Sequence, residues 1–241
     1  MPINSAILAH NHVIMLVLTG PLCSVLEPLV ESFDRKAHWQ KVYGGKEPSD
    51  LSWFQAEPSL SLELISNCGL SLSDPIIDVG GGASVLIDRL IHRGYSRLTV
   101  LDISAAALKN SKRRLGVDSD RVEWIESDIT AYEPREHFAL WHDRAVFHFL
   151  TDPNDRMNYV AALKQALRSG GHLILASFAT GGPEKCSGLP IVQYDSRKLM
   201  AELGPGFRLV EERAESHVTP AQRIQAFAYF RLIRVGDENE T

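Results

Sequence analysis

The residues able to do chemistry begin at a glycine turn and continue as spaced acids. Asp78-Val-Gly80-Gly81-Gly82-Ala-Ser84 closes a short apolar run. Glycines there let the chain turn sharply and let a ligand approach backbone amides. A helix starting just after them aims partial positive charge at that ligand. Asp102 comes 24 residues after Asp78, at the end of Leu98-Thr-Val-Leu101. A carboxylate at such a strand tip accepts both hydroxyl protons of a ribose. Glu126-Ser127-Asp128-Ile129 brings another acid, suited to accept a proton from an exocyclic amine. Acids beside sugar and base suit an unphosphorylated nucleoside and repel phosphates. The dinucleotide fingerprint fails at its third glycine, where Val85 stands, and the Gly-Lys-Ser/Thr of a phosphate loop is missing.

A second group follows in Trp141-His142-Asp143-Arg144-Ala145-Val146-Phe147-His148-Phe149. His148 is the candidate general base, because imidazole titrates near neutral pH. Arg144 could steer an anionic substrate, or pair with a nearby acid. His142 falls on a strand and reads as structural. The stretch from Gly181 to Pro190, rich in Gly and Pro, could close over a substrate and carries Cys186, whose plainer reading is an inert apolar thiol. His217 ranks below His148 as a residue able to reach the site.

These groups meet only if the elements carrying them deliver them to one edge. Helices are expected over 34–43, stopped by Gly44-Gly45, and over 59–68. A strand–helix alternation then begins. Strands fall at 75–79, 97–101, 122–125, 138–141 and 172–177. Helices fall at 83–93, from Ser104 as N-cap, and from Pro153 to about 169, where Gly170-Gly171 would close the last one. Such alternation means a mostly parallel sheet with helices on both faces. Runs 207–214 and 226–232 have no helix between them and predict a terminal antiparallel hairpin at the sheet edge.

The 241 residues are 44% hydrophobic and 23% charged, which excludes a disordered, collagenous or disulfide-dense chain. A net charge of −5 argues against nucleic-acid or anionic-membrane partners. The 3 cysteines include no CxxC, which fits a reducing cytoplasm and gives no metal signature. The apolar run at 13–18 is too short to span a bilayer, and no Lys or Arg precedes it. Residues 1–33 read as an extension of unclear role. Residues 34–241 form the main domain, as a monomer or homodimer.

The series Asp78-x-Gly-Gly-Gly-x-Ser84, then Asp102, then Ser127-Asp128, resembles the class I S-adenosylmethionine-dependent methyltransferases over roughly residues 35–235. The resemblance implies a Rossmann-like α/β fold with seven strands, mostly parallel, ending in an antiparallel one. It puts Asp78 and Gly80, Gly81 and Gly82 at the methionine part of S-adenosyl-L-methionine. Asp102 and Ile103 go to its ribose, and Asp128 with Ile129 to its adenine. Ser84 stands where many members have glycine. Trp39, Tyr43 and Ser52-Trp53-Phe54 are similar to an aromatic opening segment that covers the cofactor, making 34–70 a lid with Tyr43 and Trp53 on the cofactor. Asp143 takes the place where an acid or Asn faces the substrate.

The run Asp143-Arg144-Ala145, with Asp155-Arg156 and Tyr159, resembles the thiopurine and small-thiol S-methyltransferases. It is also similar to the lysine methyltransferases that modify translation factors. The expected activity is methyl transfer to a small nucleophile, a small thiol in the narrowest form. Asp143, Arg144 and His148 would position or deprotonate it. Protein-lysine methylation, a non-catalytic cofactor-binding domain and a nicotinamide oxidoreductase are the alternatives.

Overall fold

Apolar strands with no polar alternation need cover on both faces. Here β1 (Ile76–Val79) and β2 (Leu98–Asp102) are buried at every position, and β4 (Phe138–Arg144) nearly so. With β3 (Val122–Glu126), β5 (Leu167–Phe178), β8 (Phe207–Val218) and β9 (Ile224–Arg234) they make one sheet, ordered β3-β2-β1-β4-β5-β9-β8. The computed structural model describes residues 33–236. All but Phe33 belong to one compact unit, Asp34–Thr241. The apolar run at 13–18 and Cys23 lie outside the described residues.

The five strands from β1 to β5 run parallel, and β9 is antiparallel to both β5 and β8. The last strand of the chain therefore inserts beside β5, while β8 takes the edge. β8 shows the alternating burial of a strand covered on one face only. A small hairpin, β6 (Lys185–Cys186) with β7 (Leu189–Pro190), follows β5.

Side-chain caps start the helices where the sequence supplies Asp or Ser. Asp34 accepts from Ala37 N–H at 2.8 Å to open α1 (Arg35–Gly45). Ser104 accepts from Ala107 N–H at 3.2 Å to open α4 (Ala105–Leu115). Asp152 opens α5 (Pro153–Ala166) and Asp195 opens α6 (Ser196–Leu203). The remaining helices are α2 (Ser59–Ser66) and α3 (Leu86–His92).

Several boundaries depart from the expected ones, the ends of α5 and β4 among them. α5 stops at Ala166, and Gly170, with φ +74°, lies inside β5 instead of capping a helix. Arg234, from the far strand β9, donates to the carbonyls of Lys164 and Leu167 at this point. β4 runs on to Arg144, so Asp143 sits in the strand and not past it.

Strand order reverses between β1 and β4, and both strands end at the same edge. That crevice is where open parallel sheets bind ligands.

Candidate functional site

The glycine loop is shaped by what lies against it. Gly80 has φ +71°, and a Cβ there would sit 2.0 Å from Val146 Cγ2. A Cβ on Gly82 would meet Asp102 Oδ2 at 2.5 Å. Neither position admits a side chain. Gly82 N–H donates to Asp102 Oδ2 at 3.0 Å and Ser104 N–H to Oδ1 at 2.8 Å, which fixes that carboxylate at the β2 tip. Burial, only partly offset by these amides, raises the Asp102 pKa to about 6.

Asp128, past the tip of β3, accepts from Thr130 N–H at 2.9 Å and pairs with Arg35 at 3.2 Å. Arg35 also grips Asp155 at 2.9 Å. Gln40 Oε1, one turn further along α1, accepts from Ser104 Oγ at 2.6 Å and Ala106 N–H at 2.8 Å. α1 is thereby tied to the same strand tips. Trp39 packs edge-on against Trp53 and Phe149, with centroids 5.8 and 4.9 Å apart.

Asp78 lies deeper. Its Oδ1 is 2.7 Å from His142 Nδ1, whose Nε2 is 2.9 Å from Ser61 Oγ. Asp78 Oδ2 has no hydrogen-bond partner among the described residues and faces the Cα of Gly81. It lines a smaller cavity, shared with Gly80, Gly81 and Ser84, below the main one. A buried carboxylate oxygen beside a glycine turn fits a cationic amino group.

The main cavity has about 820 Å³ of empty space, part of it open to solvent. Of the residues singled out from sequence, Tyr43, Trp53, Gly80, Asp102, Ile103, Asp128 and Ile129 line it, and so do Arg144, His148 and Cys186. Asp78 and Gly81 line only the smaller cavity. Gly82 lines neither and acts by holding Asp102.

Asp143 corrects the expectation that it faces a substrate. It is fully buried and outside both linings. Its oxygens accept from Val146 N–H at 2.8 Å, Phe147 N–H at 3.1 Å and Tyr159 O–H at 2.6 Å. It shapes the turn carrying Val146 and His148. Burial raises its pKa to about 6 against these donors.

Arg144 lines both cavities but is heavily engaged. It donates to Tyr229 Oη at 2.7 Å and to Trp53 O at 2.9 Å, and pairs with Glu215 at 3.5 Å. His217 does not reach the main cavity. Its Nε2 bonds Ser52 O at 2.8 Å, so it and Arg144 anchor the 52–53 loop.

His148 is fully buried. Desolvation first, and the Arg144 charge second, lower its pKa to about 3. That removes it as a neutral-pH base of ordinary strength. Cys186 is held as the thiol, with burial raising it to about 11.

Phe178 and Phe227, which sequence reasoning did not single out, complete the wall at this end. They pair across β5 and β9, with ring centroids 4.7 Å apart. Among the described residues no group of three or more His, Cys, Asp or Glu is placed to hold a metal ion. No helix among them is long and apolar enough to cross a membrane.

Residues 76–171 match a protein-family model described as a methyltransferase domain. Over 104 residues the chain is 29% identical to malonyl-[acyl-carrier protein] O-methyltransferase 1 of Ilyobacter polytropus, covering 43% of this chain and 37% of that one. Over 151 residues it is 26% identical to EEF1A lysine methyltransferase 2 of Danio rerio, covering 59% and 58%. The chain thus spans less than two thirds of either relative. In fold it is similar to a solved structure on the conversion of a disulfide bond into a thioacetal group during echinomycin biosynthesis, with TM-score 0.68 and 16% identity, covering 86% and 94%. It is also similar to the N-methyltransferase NodS from Bradyrhizobium japonicum, solved with S-adenosyl-L-homocysteine, with TM-score 0.59 and 18% identity, covering 83% and 99%.

Proposed function

We propose that this chain, which carries a class I S-adenosylmethionine-dependent methyltransferase domain, moves a methyl group to a small-molecule nucleophile, a small thiol in the narrowest form. The observation carrying this reading is the continuity of the main cavity. One end holds Gly80, Asp102 and Asp128; the other is walled by Phe149, Phe178 and Phe227 under the Lys185–Pro190 hairpin. Bound S-adenosyl-L-methionine supplies an electrophilic methyl on a sulfonium.

The chain's own residues hold the parts of that molecule apart. Asp102 takes the ribose hydroxyls with Ile103 beside it, and Asp128 with Ile129 takes the adenine edge. Asp78 Oδ2 takes the ammonium of the methionine tail, beside the amides of Gly80 and Gly81. Tyr43 and Trp53, in the 34–70 lid, exclude water over the cofactor, which an in-line displacement requires. Arg144 and His148 stand at the acceptor end. A reducing, cytoplasmic compartment is the proposed location, and the free thiols Cys68 and Cys186 support it.

A protein-lysine methyltransferase is the second reading, favoured by the similarity to EEF1A lysine methyltransferase 2. Against it, the carboxylates of the main cavity are those at the β2 and β3 tips, and none stands at the ring-walled end to receive an ammonium.

The test supplies S-adenosyl-L-methionine with a panel of thiols, amines and phenols and measures S-adenosyl-L-homocysteine. A parallel reaction uses tritiated cofactor and lysate. Product with a small thiol is expected; label confined to protein bands would transfer the assignment to the second reading.

A further inference from the structure

Paired positions on neighbouring strands put their side chains on the same face of a sheet. Asp78 on β1 and His142 on β4 are such a pair, and Ser61 reaches them from α2. Asp78 and His142 are 2% exposed and Ser61 is 1%. A carboxylate only accepts, so the 2.7 Å contact to Asp78 Oδ1 takes its proton from His142 Nδ1. In the neutral ring Nε2 is then an acceptor, and the Ser61 hydroxyl donates to it over 2.9 Å. Apolar side chains at these three positions would serve the sheet as well, because a buried polar group earns its place only through its partners. What this line of polar groups leaves over is Asp78 Oδ2.

That oxygen has no hydrogen-bond partner among the described residues. A Cβ on Gly81 would lie 2.2 Å from it, so glycine at 81 keeps the oxygen uncovered on the side of the turn. Asp78, Gly81 and His142 line the same small cavity. Arg144 is the one cation lining it among the described residues, and it is drawn to Glu215, Tyr229 and Trp53 O. Asp102, on β2 beside β1, adds a second acid. Burial first, and the Asp78 charge among the lesser causes, raise its pKa. A cationic ligand group balances such a pair of acids.

This inference rests on the proposed function, which gives the cofactor's ammonium to Asp78. We infer that His142 is the positioning residue for that contact. By donating from Nδ1 to Oδ1 it aims Oδ2 past Gly81. His142 is the one donor to the Asp78 carboxylate among the described residues. Without it the carboxylate loses both its buried partner and its orientation. Tight binding then depends on the amino group of the cofactor's tail as well as on its nucleoside.

The experiment uses the full chain and two ligands. One is S-adenosyl-L-homocysteine. The other is its desamino analogue, which keeps the nucleoside, the thioether and the carboxylate. Calorimetry on the native protein is expected to favour S-adenosyl-L-homocysteine by about tenfold to a hundredfold, the scale of a hydrogen bond between charged groups. His142→Phe removes the donor at similar volume. It is expected to erase most of that preference, with affinity for the desamino analogue held within about threefold. In His142→Asn the side-chain amide can still donate to Oδ1, and the preference should survive. Histidine 15N spectra of the native protein at about pH 8 are expected to show the His142 proton on Nδ1.

Parallel loss of both ligands in His142→Phe overturns the inference, because a merely structural histidine would act on both alike. So does a loss in His142→Asn equal to that in His142→Phe, or a His142 proton on Nε2. If His142→Phe does not fold, the native preference and the tautomer decide. Native protein that binds S-adenosyl-L-homocysteine and its desamino analogue equally sinks this inference alone. Absence of binding by either ligand brings down the proposed function too.

Discussion

At the β1–β3 end of the cavity, polar groups are fixed before any ligand arrives. Asp102 is held by two backbone amides, and Asp128 by Thr130 and Arg35. At the β4–β5–β9 end, aromatic rings do the enclosing. The polar side chains there are tied to other parts of the fold, apart from His148 Nε2. The first end is built to present charge at set points. The second encloses by shape. Asp143 and His148, five positions apart, mark the border: one carboxylate serves the fold, and one buried histidine lies in the cavity wall.

The largest effect that would sharpen this contrast is on stability. Asp143→Ala leaves Val146 N–H, Phe147 N–H and Tyr159 O–H without their acceptor. Losing about 1–3 kcal/mol per orphaned group predicts a drop on the order of 3 kcal/mol or more in unfolding free energy, read from urea melts. A loss under about 1 kcal/mol would show that Asp143 is not the fold's anchor here.

The pH dependence has a set sign. Burial raises the pKa of Asp143 in the folded protein to about 6, above the ordinary carboxylate range of the unfolded chain. The folded state therefore binds its proton more tightly than the unfolded state does. Its contribution is fully present below the unfolded value and is lost as pH rises through about 6. Urea midpoints are expected to fall over that window, less so in Asp143→Ala. Asp102, at about 6, pushes in the same direction.

Next comes the opposite end. Asp102→Asn is expected to weaken S-adenosyl-L-homocysteine binding by about 2 kcal/mol, roughly 30-fold, since an amide cannot accept at both positions. In the native protein, affinity should decline as pH falls through about 6, because the ionised carboxylate is the form that accepts the hydroxyls. The variant should lack that decline. Calorimetry at several pH values checks both. Unchanged affinity would mean that the two ends are not divided as described.

A smaller effect is expected at Ser61. Ser61→Ala removes the partner of His142 Nε2 and should cost about 1 kcal/mol of stability, read from urea melts. Asp78 keeps its bond to Nδ1, so S-adenosyl-L-homocysteine affinity should move little. A large loss of that affinity would extend the polar end down to α2.

The sheet was legible because its central strands are continuous apolar runs and four of its helices, α1, α4, α5 and α6, start at Asp or Ser. The terminal hairpin was legible because no helical pattern separates its strands, although both arms run on to Val218 and Ile224. β4 was read too short because the run of polar residues at His142, Asp143 and Arg144 hides the strand's end, with Asp143 placed just past it. Each is satisfied by a partner far along the chain: Ser61 and Asp78, Tyr159, and Glu215 with Tyr229. Only the fold reveals such partners. The end of α5 was misread for the same reason, since Arg234 lies 67 positions beyond Leu167. The polar residues of the β1–β3 end were legible because each sits at a strand tip. Phe178 and Phe227 were not, because an aromatic residue in an apolar strand looks like core until topology brings its end to the cavity. His148 was visible as a histidine, but its Nδ1 accepts from Phe178 N–H at 3.4 Å, a partner that only the fold supplies.

Cys186 offers the smallest expected effect and a sensitive check on the ring-walled end. It lines the main cavity yet is buried, and desolvation holds it as the thiol, with its pKa pushed up to about 11. A thiol is a poor nucleophile beside a thiolate, and Arg144 lowers the pKa too little to offset burial. Cys186 packs as a small apolar group in the hairpin over the acceptor end. Cys186→Ala should therefore change S-adenosyl-L-homocysteine affinity not at all and turnover by less than about threefold, within about 0.7 kcal/mol of the barrier. In the folded protein iodoacetamide at neutral pH should label it far more slowly than in urea, where it regains the ordinary thiol range. Rapid labelling of the folded chain would mean that the hairpin opens or that a thiolate is stabilised there. The ring-walled end would then hold a charged group, and enclosure by shape would no longer describe it.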